Sequence, residues 1–207
     1  MVQVARQKSA GYTVEQRIRD VLWAARERKI GYRTQRGPAF AKPLTPADEQ
    51  AWKNAGSPTL CDGCLPGKTY FTPLKMTRTP VTDLPADPEA LKAEILRTND
   101  KDTPEAWLWG VGKWLLLDAE STSATMAGLY RVLAGLPGVR VEDNVADIDG
   151  RTGIALTYGE ASARQQIIID RDSGQLLAVQ EGDGSSAYVV QRLGWTDDPA
   201  PKESTYS

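Results

Sequence analysis

Met126-Ala127-Gly128-Leu129-Tyr130-Arg131-Val132-Leu133-Ala134-Gly135-Leu136-Pro137-Gly138-Val139-Arg140-Val141 contains the change of period that decides the fold. Met126, Leu129, Tyr130 and Leu133 recur at three-and-four spacing, which predicts a helix over 122–135 with one apolar face. Leu136-Pro137-Gly138 stops it, since proline lacks the amide N–H that a helix needs and glycine accepts the turn conformation. Immediately afterwards Val139 and Val141 alternate with charged residues, the two-residue period of a strand.

Upstream of this switch the sequence predicts more helices. Asp87-Pro88-Glu89 supplies a cap, a first helical residue and an acidic first turn, leading to Leu91 and Ile95 on one face. Thr103-Pro104-Glu105 repeats the signal and opens the most apolar segment of the chain, 104–118. Thr45, Pro46, Asp48 and Glu49 start a shorter helix, with Trp52 as its anchor and Gly56 and Pro58 as its end. Residues 37–45 and 57–86 read as proline-rich connections.

Downstream the pattern is strand throughout. Residues 144–148 lead into Asp149-Gly150, a hairpin turn signal, and Ile154, Leu156 and Tyr158 alternate in the return strand. Ile167-Ile168-Ile169 is a β-branched run that predicts a strand covered on both faces. Asp172-Ser173-Gly174 turns it into a strand over 175–181, and 187–193 is the last. At the other end of the chain, Tyr12, Val14, Ile18 and Leu22 oppose Thr13, Glu15, Arg17 and Arg19, a half-buried strand. A helix over 14–26 is the competing reading, and 30–36 returns as a second strand. Segregated helices and strands predict an α+β fold with an antiparallel sheet. The expected organisation is a disordered lead-in over 1–11, one domain over 12–196 and a disordered tail over 197–207.

Composition narrows the function. The chain of 207 residues is 41% hydrophobic, enough for a core without disulfides or metal. Its net charge of -2 argues against bulk binding to nucleic acid. Residues 1–36 nevertheless carry nine Lys/Arg against three Asp/Glu, and residues 140–198 carry five against eleven. Two solvated surfaces of opposite sign account for that, and a basic surface facing an anionic membrane or acidic partner is the sharper reading. Histidine is absent, which removes the commonest metal ligand. No apolar run reaches a membrane span, and the N-terminus lacks the apolar core of a signal peptide.

Few residues suggest chemistry. Cys61-Asp62-Gly63-Cys64 could be a disulfide, inert thiols, a redox pair or half a zinc site. No other Cys or His completes a zinc set, and Leu65-Pro66-Gly67 reads as loop rather than the helix start that activates a redox thiol. Glu142, Asp143, Asp147 and Asp149 lie on the predicted hairpin and read as solvated. No phosphate loop, nucleophile elbow or metal-binding helix motif occurs, so neither catalytic residues nor a cofactor are expected. In the segment 104–118, Trp107, Val111 and Trp114 share one helical face. Core packing explains such a face; so does an apolar ligand pocket walled further by Met126, Leu129 and Tyr130.

Five blocks carry a family resemblance: Pro43-Leu44-Thr45-Pro46-Ala47-Asp48 with Trp52 and Ala55-Gly56-Ser57-Pro58, Leu84 to Leu91, Leu129 to Val139, Asp149 to Leu156, and Ile169 to Leu177. Together they resemble the extracytoplasmic part of uncharacterised actinobacterial single-pass membrane proteins, often encoded beside extracytoplasmic-function sigma factors. The resemblance spans roughly residues 12–195. It implies a lipoprotein-carrier-like fold: a curved antiparallel β-sheet (half-barrel) with helices packed on its concave face. It also implies a membrane anchor outside this chain, and an apolar small molecule or an envelope protein as partner. The expected function is non-enzymatic binding or sensing, with a thiol-disulfide role for Cys61 and Cys64 as the alternative.

Overall fold

The structure, a computed structural model, describes residues 1–9, 11–23, 31–58, 69–73, 77, 79–160, 163–194 and 197. Strands β1 (Val2–Ser9), β2 (Tyr12–Trp23) and β3 (Gly31–Pro43) come first. Helix α1 (Pro46–Asn54) and strand β4 (Thr69–Pro73) follow. A short turn of 3-10 helix precedes α2 (Pro88–Leu96), α3 (Pro104–Leu117) and α4 (Ser123–Ala134). Strands β5 (Arg140–Ala146), β6 (Thr152–Tyr158), β7 (Gln165–Ile169), β8 (Leu176–Glu181) and β9 (Ser186–Val189) complete the order. The nine strands form one open antiparallel sheet ordered β4-β3-β2-β1-β9-β8-β7-β6-β5. The fold is therefore α+β.

Helices α1, α2 and α3 start where the sequence places their caps, and α4 starts within the span 122–135 that its period predicts. The side chains of Thr45, Asp87, Thr103 and Thr122 accept from the amides of Asp48, Ala90, Ala106 and Thr125, answering N–H groups that a helix start leaves open. Helices α2, α3 and α4 bury Leu91, Ile95, Leu108, Leu115, Leu116, Leu129 and Leu133 against Leu156, Ile167, Leu176 and Val179 of the sheet. Close approach matters at Gly128, where a Cβ would stand 2.5 Å from the Ala86 carbonyl oxygen. Helix α1 differs from expectation: it buries no residue, and the Trp52 indole N–H donates to the Pro58 carbonyl at 3.3 Å instead of anchoring a core.

Residues 1–9 are not a disordered lead-in. Strand β1 lies at the centre of the sheet, pairing Val2 with Arg19 of β2 and with Val189 of β9. It joins the N-terminal and C-terminal halves, and its register comes from a partner almost the whole chain away. The stretch 37–45 is likewise not all loop, since β3 continues to Pro43. A register shift between Ile18 and Asp20 absorbs Gly37 and Pro38, and a Cβ on Gly37 would stand 2.7 Å from the Arg19 carbonyl oxygen. Among the described residues, pairing with β4 covers only Gly31–Gln35, so the proline-containing half of β3 is an edge there that needs no amide donor.

Directly opposed residues of antiparallel strands share a face. Leu156, Ile167, Val179 and Tyr188 thus form one row under the helices, and Tyr158, Gln165 and Glu181 form the next. Ile167 and Ile168 are both fully buried, as their run predicts, because the opposite face is covered as well. There Val2, Val4, Ala187 and Val189 cluster beneath Ile148, which the turn over 147–151 carries across the sheet. Asp147 is therefore not solvated. Its carboxylate is buried and accepts from the Asp149 and Arg151 amides and from Arg151 Nε at 2.7 Å. Arg151 also donates to the carbonyls of Val190 and Leu177. No helix among the described residues is long and apolar enough to cross a membrane.

Candidate functional site

The six residues singled out on α3 and α4 do not share one pocket. Val111 and Leu129 are buried core, and Trp107 packs partly buried with its indole N–H donating to the Ile95 carbonyl at 3.0 Å. The reason is that α3 is covered on several sides, by α2, α4 and the sheet, so most of its apolar surface is consumed by packing. Trp114 reaches outward and meets Tyr188 edge-on, with ring centroids 5.2 Å apart. Met126 and Tyr130 alone come together at an opening.

That opening is a cleft of about 400 Å³ between α4, the α3–α4 connection and the turn joining β7 to β8. Met126, Tyr130, Leu176 and Leu193 give it apolar walls, while Ser121, Ser123, Ser173 and Gln175 bring polar groups. No charged residue lines it among the described residues. The Tyr130 hydroxyl is buried with no hydrogen-bond partner among the described residues, and burial pushes the phenol well above its ordinary range. It stays protonated, with its donor unspent among the described residues.

The wall of this cleft conceals a pair that the sequence pattern did not single out. Ala119 and Ser121 line the opening, and their neighbours Asp118 and Glu120 are each only 4% exposed. Asp118 Oδ1 accepts from the Glu120 amide at 2.8 Å. Asp118 Oδ2 and Glu120 Oε1 have no partner among the described residues. Burial pushes the Asp118 carboxyl up to about 6. Burial, and then the negative charge of Asp118, push Glu120 up to about 7. In the sequence, Asp118-Ala119-Glu120 looks like any acidic turn between helices. Its burial follows from the apolar residues on both sides, Leu115, Leu116 and Leu117 before it and α4 after it.

The arrangement can hold a ligand and retain protons near neutral pH. Ser173, on the cleft, donates its hydroxyl to Asp170 Oδ1 at 2.6 Å, and no group of three His, Cys, Asp or Glu that could hold a metal occurs among the described residues. Cys61 and Cys64 lie outside the described residues. No family model, curated protein or solved structure matches the chain. Its function therefore rests on its own geometry.

Proposed function

We propose that the chain is a non-enzymatic, extracytoplasmic binding module, membrane-anchored in its full-length form, whose ligand is a small uncharged amphipathic molecule. The observation that carries this is the 400 Å³ cleft, with apolar walls from Met126, Leu176 and Leu193 and polar groups from Ser121, Ser123, Ser173 and Gln175. A volume of that size suits a small molecule rather than a protein segment. Its apolar part would lie on Met126, Leu176 and Leu193, and its polar part would meet the serines and Gln175 on the wall. The absence of lining charge among the described residues favours a neutral ligand, because an ion would enter without a counter-charge.

In this reading the sheet is a half-barrel with α2, α3 and α4 on its concave face. In its support, α3 and α4 share a core with side chains from β6, β7, β8 and the segment just after β9. The export and anchoring rest on the resemblance in the five sequence blocks.

The test uses Nile red, a neutral apolar dye, titrated into the protein and followed by its fluorescence. Saturable binding is expected at one site. Ala127 is an exposed residue on the cleft wall, so Ala127→Trp fills the opening without touching the core and should abolish the signal. Equal binding by Ala127→Trp would remove this cleft as the site.

A further inference from the structure

The second opening lies on the other side of α3, and it has a different chemistry. It runs between α3 and the edges of β7, β8 and β9, and is a shallow cleft of about 60 Å³. Trp114 stands at its side, 44% exposed, on a helix whose neighbouring Leu115 and Leu116 are fully buried. A single exposed tryptophan is ordinary. What distinguishes this one is that its ring is held from one side by Tyr188, at 5.2 Å and 68°, and is surrounded by unused hydrogen-bonding groups.

Gln165 organises those groups. Its Oε1 accepts from Trp109 Nε1 at 2.8 Å and from Lys113 Nζ at 2.6 Å, and its Nε2 donates to Glu181 Oε1 at 3.1 Å. Gln165 is thus fixed in one orientation, and so are the ammonium and the carboxylate beside it. Beyond this contact, Lys113 makes no other hydrogen bond among the described residues, so two of its three donors are open. Glu181 keeps a second carboxylate oxygen. The hydroxyls of Ser186 and Tyr188, also on the cleft, make no hydrogen bond among the described residues.

We infer that this cleft is a binding site for a neutral saccharide, with one sugar ring lying on Trp114 and its hydroxyls meeting Lys113, Glu181, Ser186 and Tyr188. A pyranose has an apolar C–H face that covers an aromatic ring, and an equatorial rim of hydroxyls that both donate and accept. The cleft offers that pairing: one aromatic face, one fixed donor, one fixed acceptor and two hydroxyls. Charge selects against other occupants. Lys113 and Glu181 together carry no net charge, so an ion finds its counter-charge only beside a like charge, whereas a neutral polyol uses both. An apolar ligand would cover Trp114 but leave four polar groups desolvated and unpaired. This site is separate from the α4 cleft, and either can fail without the other.

The test is an NMR titration of the full chain labelled with nitrogen-15, following indole N–H signals. The probes are neutral tetrasaccharides of glucose, mannose and N-acetylglucosamine, with a galacturonic acid tetrasaccharide as the charged comparison. Loss of one signal in Trp114→Phe assigns Trp114. At least one neutral probe should shift that signal saturably, with a dissociation constant in the millimolar range or tighter. Trp114→Ala, followed at the Trp109 indole that donates to Gln165, should weaken this binding by about ten-fold or more. Tyr188→Phe, which removes only an oxygen and keeps the ring contact, should weaken it by roughly three- to ten-fold while leaving the spectrum otherwise folded. The inference is overturned if no neutral probe moves the Trp114 signal, if the charged probe binds more tightly, or if Trp114→Ala or Tyr188→Phe binds unchanged.

Discussion

Glu120→Gln should stabilise the protein at neutral pH and not at acid pH. Glu120 is 4% exposed, with Oε1 unpartnered among the described residues and Asp118 as its charged neighbour. Its carboxyl is raised from 4.5 to about 7. A raised carboxyl favours folding below its unfolded value and loses that contribution as pH climbs through the folded value, because the unfolded chain gives up its proton first. At about pH 7 the deficit is about 1–3 kcal/mol, since each tenfold difference in proton affinity between the folded and unfolded chain is worth roughly 1.4 kcal/mol and solvent screening removes part of it. Asp118, raised from 3.8 to about 6, adds a similar deficit over a window about one pH unit lower. Glutamine keeps the shape and cannot ionise, so the Glu120 share disappears. Urea unfolding of wild type and variant at about pH 4, 5.5 and 7 reads the difference, to which carboxylates common to both proteins contribute nothing. The variant should gain about 1–3 kcal/mol near pH 7, or roughly 2–12 °C in Tm, and almost nothing near pH 4. Parallel stability curves across that range would refute the reasoning, since they would mean that Glu120 titrates alike in the folded and unfolded chain.

Other positions give independent checks. Arg151→Ala leaves the buried Asp147 carboxylate without its cation and two carbonyls without their donor, and should cost about 3–5 kcal/mol in denaturant unfolding. Deleting residues 1–9 removes the central strand and should abolish cooperative unfolding by circular dichroism, whereas a dispensable lead-in would leave it intact. Gly128→Ala forces a methyl against the Ala86 carbonyl and should destabilise by about 1–3 kcal/mol, although alanine ordinarily favours a helix.

The sequence was most legible where local chemistry decides structure. The caps at Thr45, Asp87 and Thr103 and the stop after Ala134 act within a few residues of themselves, and the helices lie where those signals put them. Alternation placed β2 and β6 because each has one face against a core. What escaped depended on distant partners. Val2 and Val4 carry too little pattern to announce a central strand, which exists because β9 returns to meet it. Pro38 reads as a loop residue until the bulge and the open edge of β3 are known. Asp147 looks solvated beside a Gly-containing turn, and only its approach to Arg151 and the far face of the sheet buries it. The site followed the same division: Met126 and Tyr130 were recognisable as one helical face, but the serines, Gln175 and Leu193 that complete the cleft come from three other parts of the chain.

Native mass spectrometry of the protein purified from a cell envelope, compared with its denatured mass, tests the central claim most directly. The account predicts an added mass from a small neutral molecule that is lost on denaturation and missing from Ala127→Trp. A bare native mass, or an added mass that Ala127→Trp retains, would contradict the assignment of the α4 cleft as the ligand site.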